Sequence, residues 1–129
     1  MIKLEEKDVL VLYRILTDKA GGTVGIRDKG MMLSALEAPY QTFAGYELFP
    51  SLIEKAARLG YGLVANHPFV DGNKRIGVFV MLVFLKLNSI DLTFSDEEII
   101  DMALNTASGL YKYEDILKVL QTKVGENNE

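Results

Sequence analysis

The stretch that most restricts this chain lies between positions 76 and 85. Ile76, Val78, Phe79, Val80, Met81, Leu82, Val83, Phe84 and Leu85 leave no polar face for a helix built there. A helix apolar all round is a buried, central one. Lys86 stops the run, which is far short of the roughly 20 apolar residues a bilayer span needs. The segment therefore predicts a core helix over Asn73 to Asn88, with the rest of the fold wrapped around it.

A polar loop feeds that helix: His67-Pro68-Phe69-Val70-Asp71-Gly72-Asn73-Lys74-Arg75, holding the only histidine of the chain. The first N–H groups of a helix have no partner inside it and carry the positive end of its dipole, so the junction is a natural anion site. Gly72 lets the backbone turn and approach a ligand, and Asn73 is a good N-cap type. Lys74 and Arg75 add cationic donors, and Arg75 can hold a phosphate bidentately. Asp71 is a hard oxygen ligand of the kind that holds Mg²⁺ together with substrate phosphates. His67 is the natural general base at neutral pH. Phe69 is expected to anchor the loop in the core, which would preorganise the site. Against this stands a plainer reading, in which the histidine is structural and Asp-Gly-Asn is an ordinary turn.

This run resembles the signature of the Fic/Doc (Fido) superfamily, H-P-F-x-[D/E]-G-N-[G/K]-R, at every fixed position. Lys74 stands where most Fic adenylyltransferases have glycine and is the choice of the Doc (death-on-curing) toxins. Gly72 is the Fic choice, where the well-known Doc toxin has alanine. The likeness extends to Gly25-Ile26-Arg27-Asp28, to Leu33, Ala35 and Leu36, and to Pro39-x-Gln41-Thr42-Phe43. It covers roughly residues 1–120.

The composition fits one globular domain. The 129 residues are 49% hydrophobic, with a formal net charge of −4 and no cysteine. That excludes a disulfide framework and a thiolate metal site, suits a reducing compartment, and argues against broad nucleic-acid binding. The charged N-terminus lacks the pattern of a signal peptide. The expectation is a soluble cytoplasmic protein that binds neither membrane nor nucleic acid directly.

Along the chain, Val9, Leu12, Tyr13 and Leu16 share one stripe of a first helix, Glu5 to Lys19, which Gly21-Gly22 would end. Thr23, Val24, Gly25 and Ile26 are either a connecting loop or, as in Fic-type folds, a short β flap on which a target segment adds a strand. Asp28 would cap a second helix that Pro39 closes. Tyr40, Phe43, Tyr46 and Phe49 are expected to pin a long loop to the core, the alternative being stacking on a nucleobase. A third helix, Pro50 to Asn66, carries Ala56, Ala57 and Gly60 for close approach to a neighbour and delivers His67 at its end. Ser95 and Glu98 form a capping box for a fifth helix ending near Gly109. A sixth runs from Tyr113 to Val124, leaving a fraying polar tail over 125–129. The fold class is thus all-α: a compact, single-domain bundle of about six helices over residues 1–124. Thr122-x-x-x-Glu126-Asn127 loosely fits the self-inhibitory helix of some Fic enzymes, but Gly125 interrupts it, so inhibition is expected from another chain.

The resemblance implies a reaction. Fic/Doc proteins move a phosphate-containing group from ATP, with Mg²⁺, to a protein hydroxyl. By this likeness His67 is the base, Asp71 the metal ligand, and Gly72, Asn73, Lys74 and Arg75 the phosphate cradle, with Lys74 and Arg75 also neutralising the charge that builds up on the transferring group. Lys74 favours phosphorylation, as in Doc-type kinases acting on elongation factor Tu, over AMP transfer. A Doc-like toxin further implies an antitoxin that folds into a groove on this domain. A two-metal phosphohydrolase lacks the ligands, and a purely non-catalytic binding module has no use for His67, Asp71 and Arg75 together.

Overall fold

The computed structural model of the protein describes residues 1–20 and 23–127. The apolar run is indeed the central element. Helix α4 (Asn73–Leu87) buries Ile76, Val78, Val80, Met81, Phe84 and Leu85. Around it pack α1 (Glu6–Ala20), α3 (Leu52–Asn66) and α5 (Asp96–Ala107), while α2 (Lys29–Glu37) and α6 (Tyr113–Asn127) lean on α3. These six helices carry the architecture among the described residues.

Helices α3 and α4 are joined by the short connection 67–72 and pack most intimately. A Cβ placed on Gly60 would lie 2.8 Å from Met81 Sδ. One placed on Gly77 would lie 2.4 Å from Val64 Cγ2 and 3.2 Å from the carbonyl oxygen of Gly60. Glycine at both positions lets the two backbones approach, as the small residues of α3 suggested; the α4 contribution, Gly77, is not visible from periodicity. Since α3 ends at His67 and α4 begins at Asn73, this contact sets the two ends of the 67–72 connection against each other.

The helix ends follow local chemistry. Asp28 accepts from the N–H of Met31 and caps α2, and Ser95 with Glu98 completes the capping box of α5, both as expected. Helix α3 starts at Leu52 rather than Pro50, because Ser51 and Glu54 form a second capping box. Gly109, at φ 84°, follows the end of α5. Helix α6 runs on through Gly125 and Glu126 to Asn127, correcting the expectation of a fraying tail from Gly125. The Gly21-Gly22 stop lies outside the described residues.

The aromatic loop is only partly pinned. Tyr40 faces the ammonium of Lys3, 4.2 Å from its ring centroid, and Phe49 meets Tyr113 edge-on at 5.1 Å. Between them stands a hairpin, β1 (Thr42–Phe43) and β2 (Tyr46–Glu47), paired antiparallel with Phe43 opposite Tyr46. Its turn, Ala44 at φ 51° and Gly45 at φ 83°, has both residues in the left-handed region that tight hairpins require. Phe43 and Tyr46 are 75% and 78% exposed, so these two do not anchor the loop. The buried Lys55 of α3 ties the hairpin down, donating to Glu47 Oε1 at 2.9 Å and to the carbonyl of Phe49. None of the described helices is long and apolar enough to cross a membrane.

Candidate active site

His67 is the first residue beyond α3. Pro68 disfavours a helical conformation in the residue before it. His67 instead turns left-handed, at φ 51° and ψ 52°. That costs a non-glycine residue roughly 1–2 kcal/mol, so neighbours must hold it. Arg27 donates from Nε to the His67 carbonyl at 2.6 Å and from Nη2 to that of Asn66 at 3.1 Å. The N–H groups of Arg27 and Asp28 both donate to the Pro68 carbonyl, at 2.7 and 3.0 Å. Asn66 Nδ2 donates to the Met31 carbonyl at 3.0 Å. The His67 residue is exposed, not turned into the core.

The loop beyond is fixed from inside. Phe69 is fully buried and stacks on Tyr13, ring centroids 3.9 Å apart. The Tyr13 hydroxyl donates to the Asp71 carbonyl at 3.0 Å and accepts from the N–H of Gly25 at 3.3 Å. Asn73, 4% exposed, spends both ends of its amide on Phe69: Oδ1 accepts from the Phe69 N–H and Nδ2 donates to its carbonyl, each at 2.9 Å. This corrects one expectation. Asn73 is not the N-cap of α4; Gly72 is, at φ 85°. The Asn73 side chain is a clamp on the loop, so only its backbone N–H is left for a ligand.

The segment 23–26 forms no full strand. Ile26 makes a single antiparallel bridge to Phe69, and the Val70 N–H donates to the Gly25 carbonyl at 2.9 Å. Thr23 and Val24 are exposed beside it. The segment, which the sequence leaves open as flap or plain connection, is thus joined to the loop itself through one edge.

Helix α4 opens without a capping side chain, whereas α2, α3 and α5 each have one. Its first turn therefore presents the N–H groups of Asn73, Lys74 and Arg75 without a partner among the described residues, the first internal bond being Ile76 N–H to the Gly72 carbonyl. The Gly72 N–H is taken by Asp71 Oδ1 at 2.8 Å. His67, Gly72, Asn73 and Lys74 line one cavity of about 250 Å³ together with Val64 and Ala107. Asp71 and Arg75 are exposed and do not line it. The Arg75 guanidinium turns back over Gly72, with Nη2 3.5 Å from where a Cβ would sit. A side chain on Gly72 would be strained at that φ.

Among the described residues no three His, Asp or Glu side chains cluster as a closed metal site. A single exposed carboxylate, Asp71, fits the other mode, in which Mg²⁺ keeps waters and shares itself between one carboxylate and substrate phosphates. Tyr13 and Arg27, whose bonds fix the loop, are the site residues that the sequence did not single out.

The model of the Fic/DOC family matches residues 3–85, which takes in α1 to α3, the whole loop and α4 as far as Leu85. The chain belongs to the Fic/DOC family. This Fic/DOC protein is 37% identical over 89 residues to Toxin Doc of Mycolicibacterium smegmatis, covering 69% of its own length and 66% of that relative, just under two thirds. It is 25% identical over 125 residues to Protein kinase doc of Escherichia phage P1, covering 97% of its own length and 98% of the phage protein. The six-helix architecture agrees with the fold that the motif implied. The loose Thr122 to Asn127 pattern finds no support as a self-inhibitory element of the Fic/DOC protein. Glu126 pairs with Lys123 at 3.4 Å, in a cleft between α5 and α6 that shares no residue with the His67 cavity.

Proposed function

We propose that this Fic/DOC protein is a Doc-like toxin that transfers the γ-phosphoryl group of ATP to a hydroxyl of a target protein. The observation that carries the reading is the uncapped start of α4 opening on the same cavity as His67. The free N–H groups of Asn73, Lys74 and Arg75 would receive phosphate oxygens, with the Lys74 ammonium beside them. His67 would take the proton of a target Ser, Thr or Tyr hydroxyl as its oxygen attacks phosphorus. The bond from the γ-phosphorus to the bridging oxygen would break, and ADP would leave with the electron pair. Arg75 would neutralise charge on the leaving group. Asp71 would hold Mg²⁺, which supplies neutralisation of the phosphate oxygens when bound. Catalysis of this kind is mostly positioning and electrostatics. At about 250 Å³ the cavity suits a phosphate chain, leaving the nucleoside on the outer surface.

Two further points support the kinase reading. The phage relative bears the name Protein kinase doc, and Lys74 fills the space that glycine leaves open in AMP-transferring members. Gly72 favours the second reading, transfer of AMP. The target we favour is a translation factor such as elongation factor Tu, met in the cytoplasm. The antitoxin would lie along a largely apolar groove of about 350 Å³ between α1 and residues 24–26, lined by Leu10, Val11, Tyr13 and Arg14. Val11 and Val24, each 60% exposed, would be its covered contacts.

The test uses purified protein, a candidate target and ATP labelled at either the α or the γ position. Label from the γ position alone in the target supports phosphorylation; label from the α position alone overturns it in favour of AMP transfer. Loss of the base should slow transfer about 10²–10⁴-fold in His67→Ala. A His67→Ala protein that labels its target as fast as wild type refutes the role of the ring.

A further inference from the structure

Helix α3 ends at its most demanding point. The last carbonyls of a helix have no internal partner, and here the next residue is a left-handed histidine. Both needs are met by one side chain from a distant segment. The Arg27 guanidinium uses Nε on the His67 carbonyl, at 2.6 Å, and Nη2 on the Asn66 carbonyl, at 3.1 Å. A cation at the negative end of a helix dipole is favourable in itself, and charge-assisted bonds of this length are strong. The planar fork also imposes direction, which an ammonium does not.

Arg27 is itself held. Its N–H and that of Asp28 donate to the Pro68 carbonyl. Asp28 caps α2 through the N–H of Met31, and Ile26 bridges Phe69. The fork is thus mounted on the start of α2 and grips residues 66 to 68 from one side. The Asn66 and His67 carbonyls belong to the peptide planes on either side of the His67 Cα, and holding both planes sets φ and ψ of that residue. The two-carbonyl grip therefore fixes the Cα–Cβ direction along which the imidazole leaves the chain. None of the ion pairs among the described residues includes Arg27, so its charge is committed to these carbonyls.

We propose that Arg27 is a positioning residue, which holds His67 in its left-handed conformation and so aims the imidazole at the start of α4. The effect on transfer rests on the proposed catalytic role of His67; the effect on ring placement does not.

That difference makes the test separable. His67 is the only histidine, so its imidazole carbon- and nitrogen-bound proton signals are assigned in a nuclear magnetic resonance spectrum without ambiguity. The variant is Arg27→Met, which keeps an aliphatic stem and removes the fork. Its ring signals should shift and broaden while the amide signals of α4 beyond Phe79 stay in place. Transfer should slow about 10- to 100-fold, the size expected of a displacement near 1 Å, with KM for ATP unchanged. Arg27→Lys keeps the charge but not the fork, and should recover less than half of the loss in rate. Unaltered ring signals in Arg27→Met overturn the proposal, whatever the melting temperature does, because they leave Arg27 with a packing role only. Full recovery by lysine overturns the two-carbonyl clamp. If His67→Ala transfers at the wild-type rate, the catalytic reading falls, and the ring signals alone still decide the placement.

Discussion

Gly77→Ala is the substitution through which packing and function are best read together. A Cβ at this position would sit 2.4 Å from Val64 Cγ2, 3.2 Å from the Gly60 oxygen and 3.3 Å from the Val64 nitrogen. Comfortable carbon–carbon contact begins near 3.5 Å, so the overlap with Val64 is about 1.1 Å. Val64 is buried and β-branched, with one strongly preferred rotamer in a helix, so it does not simply swing aside. Overpacking of this kind costs about 1–3 kcal/mol, against a gain of about 1 kcal/mol in helix propensity for alanine over glycine. With a backbone oxygen also in the way, the upper end of the cost applies, and the net loss is about 2 kcal/mol. For a chain this long that lowers Tm by about 7 °C. Val64 also lines the His67 cavity, one turn before the histidine. Parting α3 from α4 here shifts His67 against the start of α4, and a 1 Å shift is worth about 10²-fold in rate. Thermal melts by circular dichroism and single-turnover transfer measure the two effects. Pairing Gly77→Ala with Val64→Ala removes the clashing methyl, and the double variant should be more stable than the sum of the singles by about 0.5–3 kcal/mol. A Gly77→Ala protein that melts at or above wild type, or a double variant with no coupling, refutes the close-approach argument.

Other substitutions separate clamp, strain and charge. Asn73→Ala strands the buried N–H and carbonyl of Phe69, costing about 2–5 kcal/mol; urea melts should show a lower midpoint at unchanged slope, and an unmoved midpoint shows that the clamp is idle. His67→Gly should melt about 4 °C above His67→Ala, because only glycine adopts the positive φ without strain; equal melts show that the left-handed residue costs nothing. Hydrogen bonding from Lys123, and then from the Ser95 backbone, draws the Glu98 carboxyl below its ordinary value of 4.5. A group depressed in the folded state stabilises above its unfolded pKa and loses that contribution as pH falls through the folded one. Glu98→Gln should therefore flatten the fall in Tm as pH drops below 4.5. An undiminished fall assigns the acid sensitivity elsewhere.

Much of this molecule is written in short-range code. The unbroken apolar face of α4, the stripe of α1 and the caps Asp28 and Ser95 are decided within a few residues, and they stand where the sequence places them. Ser51 with Glu54 was equally readable but lay behind Pro50, a plausible first-turn residue that drew the helix start too early. The hairpin escaped because Ala44 at a positive φ is an uncommon choice for a tight turn. Asn73 looked like a cap because its residue type is common at caps; its burial beneath Phe69 decides otherwise, and burial is a tertiary fact. The same holds for Tyr13 and Arg27, which reach the loop across 58 and 40 positions of sequence. Nothing in their neighbourhood reveals what they touch.

Those long reaches share a direction. Tyr13, Gly25, Arg27 and Met31, which grip the loop, all precede His67 in the chain. During synthesis every one of these braces has left the ribosome before the histidine does. The loop meets these braces already made, while the Asn73 clamp, the start of α4 and Ala107 follow it. A loop assembled in that order takes its shape as it emerges, without waiting for α5 and α6 to supply its braces.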